Sequence, residues 1–191
     1  MRLFVGIEID PAAAAKADAL ISELRRRAER LSPQARISWV PAERLHLTVR
    51  FIGNVDDDQL QTILAALQVP LEQAPFDLTL EGTGAFPKSG PPRVLWVGLT
   101  DGRESLQRVE REVTSRLGPA GVPPEDRVYS PHLTVARIRD AAGLKSVRLF
   151  EGISDRVLGT TGVEAITLFE SRLSPKGSTY VALQRTPLRS G

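Results

Sequence analysis

His46-Leu47-Thr48-Val49 and His132-Leu133-Thr134-Val135 are the same four residues written twice, and they contain every histidine of the 191-residue chain. Read as strands, each places its imidazole and hydroxyl on one face and its leucine and valine on the other, because side chains alternate along extended backbone. Two such polar faces brought together would hold two imidazoles and two hydroxyls. Imidazoles titrate near neutrality and hydroxyls donate hydrogen bonds, which suits metal-free acid–base chemistry on a phosphate. A single His-x-Thr-x carries little weight as a motif. Two copies that hold all the histidines carry much more.

The surroundings of each copy repeat as well. Residues 3–9 read as an apolar strand. Asp10-Pro11 then supplies an N-cap and a first-turn proline. Ala13, Ala17, Leu20, Ile21, Leu24, Ala28 and Leu31 recur at three- and four-residue steps, which predicts a helix whose outer face carries Arg25, Arg26, Arg27 and Arg30. A short extended segment at 37–40 ends at Pro41. The first motif strand covers 45–52, Gly53-Asn54 turns the chain, and Asp56, Asp57 and Asp58 open a helix with Leu60, Ile63, Leu64 and Leu67 on one face. A strand at 76–80 follows. The second half gives a strand at 94–99, a helix at 101–117 with Leu106, Val109, Val113 and Leu117 inward, and a motif strand at 130–138. A weaker helix at 144–150 follows. Strands at 165–173 and 179–184 close the chain, joined by a turn at Ser174-Pro175-Lys176-Gly177. The matching order argues for an internal duplication, with repeats of about 1–88 and 89–191 inside one bilobal domain spanning 1–191. The expected class is α+β: two pseudo-symmetric lobes, each a mainly antiparallel sheet flanked by helices, with a central cleft.

Composition narrows the chemistry. There is no cysteine, so there is no disulfide and no thiolate metal site, which fits a reducing cytoplasm. A net charge of +2 excludes a polycation. Lysine stands only at Lys16, Lys88, Lys145 and Lys176, and the remaining cations are arginine, whose planar fork suits phosphate; a GC-rich coding bias explains the same preference. The first ten residues do not read as a secretory leader, and no apolar run reaches membrane-spanning length. Gly82-Thr83-Gly84-Ala85-Phe86-Pro87-Lys88-Ser89 approximates a phosphate-binding loop, but Pro87 lacks an N–H and no helix follows. It reads instead as a connection between lobes whose Lys88 could touch a substrate. Two histidines make a poor zinc centre, which ordinarily takes three protein ligands; no metal and no cofactor are expected. Arg137 is a candidate phosphate ligand, but strict alternation places it on the face opposite His132, so a bulge would be needed and a salt bridge on the other side of the sheet is the expected reading. It places Arg50 on the face of His46, at the cleft rim or in solvent. Trp39 and Tyr129 precede the motif strands and could stack a base, although packing is the commoner role for such aromatics. A non-catalytic RNA-binding module is the alternative from another class, on the strength of the basic helix face.

The chain resembles the 2H phosphoesterase superfamily, and most closely the RNA 2′,3′-cyclic phosphodiesterase family once described as 2′-5′ RNA ligases. The segments that carry the resemblance include Met1-Arg2-Leu3-Phe4-Val5-Gly6-Ile7-Glu8, Leu45-His46-Leu47-Thr48-Val49-Arg50-Phe51-Ile52-Gly53 and Pro92-Arg93-Val94-Leu95-Trp96-Val97-Gly98. Pro131-His132-Leu133-Thr134-Val135-Ala136-Arg137 and Leu168-Phe169-Glu170-Ser171-Arg172-Leu173-Ser174 complete them. The resemblance implies a bilobal fold and the opening of a terminal ribonucleoside 2′,3′-cyclic phosphate to the 2′-phosphate, on RNA ends or small nucleotides. It implies that His46 is the proton donor and His132 the proton acceptor, with Thr48 and Thr134 binding the phosphate. Weak reverse 2′-5′ ligation follows from the same chemistry. A cytoplasmic monomer is expected, with no membrane association.

Overall fold

The cap at Asp10 forms as its sequence suggests: its carboxylate accepts from the Ala12 N–H at 2.8 Å, and helix α1 runs over Pro11–Leu31. The computed structural model describes residues 1–174 and 177–189, so Pro175 and Lys176 of the expected closing turn lie outside the described residues. One face of α1 buries Ala13, Ala17, Leu20, Ile21, Leu24 and Ala28. Each of its large aliphatic side chains contributes about 1.5–3 kcal/mol by leaving water. In chain order the other elements are strands β1 (Arg2–Glu8), β2 (Arg36–Trp39) and β3 (His46–Asn54), helix α2 (Asp57–Ala66), and strands β4 (Phe76–Phe86) and β5 (Val94–Leu99). Helix α3 (Arg103–Leu117), strand β6 (Leu133–Asp140), helix α4 (Ser146–Leu149) and strands β7 (Val157–Val163), β8 (Ala165–Ser174) and β9 (Gly177–Pro187) follow.

The described strands form one antiparallel sheet in the order β7-β4-β5-β6-β3-β1-β8-β9, with β2 added beside β6. The order reads as two equivalent halves about its centre, where the two motif strands meet at the single pair Leu47↔Leu133. β1 and β5 flank them, and β8 and β4 come next. This is the expected pair of pseudo-symmetric lobes, but neither lobe is one half of the sequence. β4, from the first half, pairs with β5; β8, from the second half, pairs with β1. The helices cross over too: α1 packs on β6 and β7, and α3 packs on β3. Each half of the chain therefore completes the core of the other, which ties the lobes together through the buried Leu and Val of both motifs.

Several element boundaries differ from expectation. The segment 82–86, read as part of a connecting loop, is the second half of β4 and pairs with β5 through Phe86↔Val94. Gly84 misleads here. A Cβ on it would lie 2.2 Å from Cζ2 of Trp96, so the glycine makes room for a ring rather than a turn. β6 starts at Leu133 rather than 130, leaving His132 just ahead of the strand. The weak helix shortens to 146–149, and α3 begins at Arg103. β7 was not foreseen; Gly159 and two threonines leave it little of the apolar alternation that marks a strand. No helix among the described residues is long and apolar enough to cross a membrane.

Candidate active site

In an antiparallel pair, one residue back on one strand faces one residue forward on the other. The Leu47↔Leu133 pair therefore sets His46 opposite Thr134 and Thr48 opposite His132. The two histidines are diagonal neighbours on the same face. Such neighbours lie on the order of 7–8 Å apart, a gap that one phosphate can fill while touching both.

Each ring is held in the same way. Nδ1 of His46 donates to the Arg44 carbonyl at 2.8 Å, and Nδ1 of His132 donates to the Ser130 carbonyl at 2.7 Å. A carbonyl can only accept, so the proton sits on Nδ1 of each neutral ring and Nε2 is left to exchange one. Aromatic rings back both. His46 lies 4.8 Å from Phe4 and edge-on to Tyr180 at 5.0 Å. His132 is edge-on to Phe86 at 5.1 Å, with Trp96 at 6.4 Å. Gly6 makes the close packing beside His46 possible: a Cβ there would come within 3.2 Å of Phe4 Cε2 and of the Leu47 carbonyl oxygen.

A cavity of about 130 Å³ opens over this face, lined by His46, Thr48 and Thr134 together with Phe4, Phe51 and Arg137. His132 flanks the cavity rather than walling it, two residues from Thr134. The charge of Arg137 nevertheless reaches both rings. Burial is the main cause that pushes both imidazoles below their ordinary value; the carbonyl bonds oppose it, and Arg137 adds to it at each ring.

Arg137 reaches the cleft because β6 bulges. Trp96 pairs with Thr134 and Leu95 with Ala136, so two residues of β6 answer one step on β5. The extra residue reverses the alternation, and Val135 and Ala136 are both buried while Arg137 is exposed. The same irregularity recurs on β3, where Gly6 pairs with Thr48 and Val5 with Arg50. Arg50 consequently turns away from His46 into the interior at 3% exposure, donating to the Pro123 carbonyl and pairing with Glu125 at 3.3 Å. Phe51 takes the cleft position that Arg137 takes on the other strand. Both expectations for these arginines are thus corrected by one cause.

The LigT-like phosphoesterase family profile matches this chain twice, over residues 11–96 and 97–180. The chain belongs to the LigT-like phosphoesterase family. An RNA 2′,3′-cyclic phosphodiesterase of Archaeoglobus fulgidus is 32% identical over 184 residues, covering 96% of this chain and 98% of that protein. Another, of Aeropyrum pernix, is 37% identical over 146 residues, covering 75% and 82%. Among solved structures, the apo form of Escherichia coli LigT superposes with a TM-score of 0.73 at 26% identity, covering 99% of this chain and 98% of that one.

The remaining candidate residues of this LigT-like phosphoesterase fall outside the cleft wall. Tyr129 is packed against the core and donates its hydroxyl to the Thr48 carbonyl at 2.9 Å, so it braces one motif strand from the segment that leads into the other. Burial pushes its phenol upward. Trp39 also packs on the core. Lys88 lines a separate cavity with Thr83 and Trp96. Among the described residues, no group of three or more His, Cys, Asp or Glu side chains is placed to hold a metal ion. Sequence alternation sets Arg137 aside, because only a bulge could bring it into the cleft, and does not single out Phe51, Arg44 or Tyr180 among the lining residues; a bulge leaves no mark in the residue alternation from which it could have been read.

Proposed function

We propose that this chain hydrolyses the 2′,3′-cyclic phosphate of an RNA end or a nucleoside to the 2′-phosphate, using two histidines and no metal. The observation that carries the reading is the register at Leu47↔Leu133, which supports one ester lying between both imidazoles. His132 takes a proton from water through Nε2 as the water oxygen bonds to phosphorus. The P–O3′ bond breaks, and His46 returns a proton to O3′ from its own Nε2; this order of donor and acceptor follows the family resemblance. Thr48 and Thr134 donate hydrogen bonds to the non-bridging oxygens, and Arg137 offsets the charge that builds on them in the transition state. With a ribose 5′-hydroxyl in place of water as the nucleophile, the same ring opening forms a P–O5′ bond, breaks P–O3′ and gives weak 2′-5′ ligation. The lack of cysteine fits a cytoplasmic location. We propose further that the protein acts as a monomer, in which the repeats 1–88 and 89–191 form one domain, since all four cleft-face motif residues come from a single chain.

The test is turnover of a nucleoside 2′,3′-cyclic phosphate in EDTA. The expected result is full activity, with the 2′-phosphate as sole product. Loss in EDTA that Zn²⁺ or Mn²⁺ restores would replace the acid–base mechanism with a metal-dependent one. Binding of RNA without turnover of any cyclic phosphate would return the chain to the non-catalytic class.

A further inference from the structure

The bulge that delivers Arg137 also sets the facing of the residues beyond it. Beyond Arg137, Ile138 is buried and Arg139 is exposed, and β6 then slips by one residue against β2, which leaves Asp140 exposed as well. Arg139 therefore lies on the same face as Arg137, about 7 Å further along the strand. β2 is the partner of this stretch, with Ser38 opposite Arg137 and Arg36 opposite Asp140. Arg36 and Ser38 are both exposed. Val40, two residues on from Ser38, lines the catalytic cavity, whereas Arg36, Ile37, Ser38, Arg139 and the carboxylate of Asp140 line an open groove of about 570 Å³. The cleft and this groove thus share one ribbon of backbone, running from Val40 and Arg137 outward to Arg36 and Arg139.

The cations on that ribbon are not committed to carboxylates. Elsewhere Arg27 and Arg156 pair with Glu23, Arg116 with Glu112 and Arg189 with Glu72, while Arg25, Arg26 and Arg30 on α1, like the ribbon's cations, are in no ion pair among the described residues. Among the described residues, Arg36, Arg137 and Arg139 form no ion pair. The nearest carboxylate in register, Asp140, instead accepts from the Ala142 N–H at 3.0 Å. Two unpaired guanidinium groups spaced along a strand that leads out of a phosphate cleft match the phosphates of an extended polynucleotide.

We infer that the β2–β6 ribbon is a track for the RNA strand upstream of the reacting end, with Arg139 and Arg36 holding phosphates on the 5′ side of the terminal nucleotide. The inference rests on the proposed cyclic phosphodiesterase reading and adds to it the substrate class: single-stranded RNA chains rather than mononucleotides. The track supplies binding energy and leaves the reacting groups alone, so it discriminates by length.

The experiment compares a nucleoside 2′,3′-cyclic phosphate with a hexaribonucleotide ending in the same group, for the wild type and for the double variant Arg36→Gln/Arg139→Gln. The wild type should favour the hexamer in kcat/KM by about tenfold or more. The double variant should lose that advantage while its mononucleotide turnover stays within twofold. The salt dependence gives a second readout. Each lost phosphate contact on a single strand removes about 0.7 from the slope of log affinity against log salt, so the double variant's slope for a 2′-phosphate-ended hexamer should fall by about 1.4. Arg36→Lys/Arg139→Lys, which keeps the charge, should retain most of the slope. Equal loss on both substrates, or an unchanged slope, would overturn the track. Failure of the wild type on both cyclic phosphates would overturn the parent reading instead, and the hexamer binding curve would still judge the track.

Discussion

β3 and β6 begin alike and end differently. Both carry His-Leu-Thr-Val, both tie the histidine Nδ1 to the carbonyl two residues earlier, and both bulge at the motif's valine. The positions past the bulge then part. On β6 the cleft residue is Arg137 and the buried one is Ala136; on β3 the cleft residue is Phe51 and the buried one is Arg50. The shared part suits two equivalent proton-transfer groups. The divergent part breaks the symmetry at one position, where β6 presents a cation and β3 an aromatic ring, although Arg2 and Arg44 also line the cleft from the β3 side. Two-sided acid–base work tolerates symmetry, whereas a nucleotide, with phosphate at one end and base at the other, does not. On the proposed mechanism the duplication would account for the reacting pair, and the divergence for the orientation of what reacts.

The largest effects should come from the symmetric part. His46→Ala and His132→Ala are each expected to lower kcat by about 10²–10⁴ on a nucleoside 2′,3′-cyclic phosphate, with the fold checked by circular dichroism. If one variant keeps wild-type turnover, the two motifs are not partners in one reaction. Thr48→Ala and Thr134→Ala test the same equivalence more gently. A hydrogen bond to a charged oxygen contributes about 1.5–3 kcal/mol, so each should cost tenfold or more, and by similar factors.

Arg137 probes the asymmetric part. Arg137→Gln should reduce kcat/KM by about 10²–10³ if the guanidinium meets charge that develops on the phosphate, whereas Phe51→Ala should act mainly on KM. The pH profile adds a signature that a purely steric role would not produce. Both imidazoles lie below their ordinary value. The acceptor must be neutral, so activity rises as pH climbs through its pKa; the donor must be protonated, so activity falls as pH climbs through its own. Both limbs of the bell should accordingly sit on the acid side of about 6.5. Arg137 lowers both pKa values, so its removal should move both limbs toward higher pH. A shift of one limb alone would mean that the cation serves only one ring.

The architecture was legible wherever periodicity alone decided it. The N-cap at Asp10, the apolar stripe of α1 and the alternation of both motif strands each point to one local structure, and the packing agrees with all three. The exchange of β4 and β8 between lobes was hidden, because pairing partners are chosen by tertiary contact rather than by local pattern. β7 was hidden for want of apolar residues. The lining of the candidate cleft was legible as far as the bulge and no further. His46, Thr48 and Thr134 follow from counting by twos. Arg137 and Arg50 sit past an extra residue that reverses the count, and nothing in Val135-Ala136 or Val49-Arg50 announces it.

Arg50 offers the smallest effect on activity and the cleanest check on that reversal. Were strict alternation to hold on β3, Arg50 would share the cleft with His46, and its loss would resemble the loss of Arg137. In the bulged strand it is an interior cation whose partners are the Pro123 carbonyl and Glu125. Arg50→Met keeps most of the volume and removes the charge. It strands a carbonyl and releases a half-exposed carboxylate to solvent, so the expected loss is about 1–3 kcal/mol of stability. That is a fall of roughly 2–4 °C in Tm for each kcal/mol in a chain of this size. Turnover of a mononucleotide cyclic phosphate at 25 °C should stay within about threefold. Arg137→Gln should give the opposite pair of results, because an exposed guanidinium with no ion pair among the described residues holds nothing together. If Arg50→Met instead lost activity at unchanged Tm, the bulge on β3 would be misassigned, and the likeness of the two strands would end at their shared tetrapeptide.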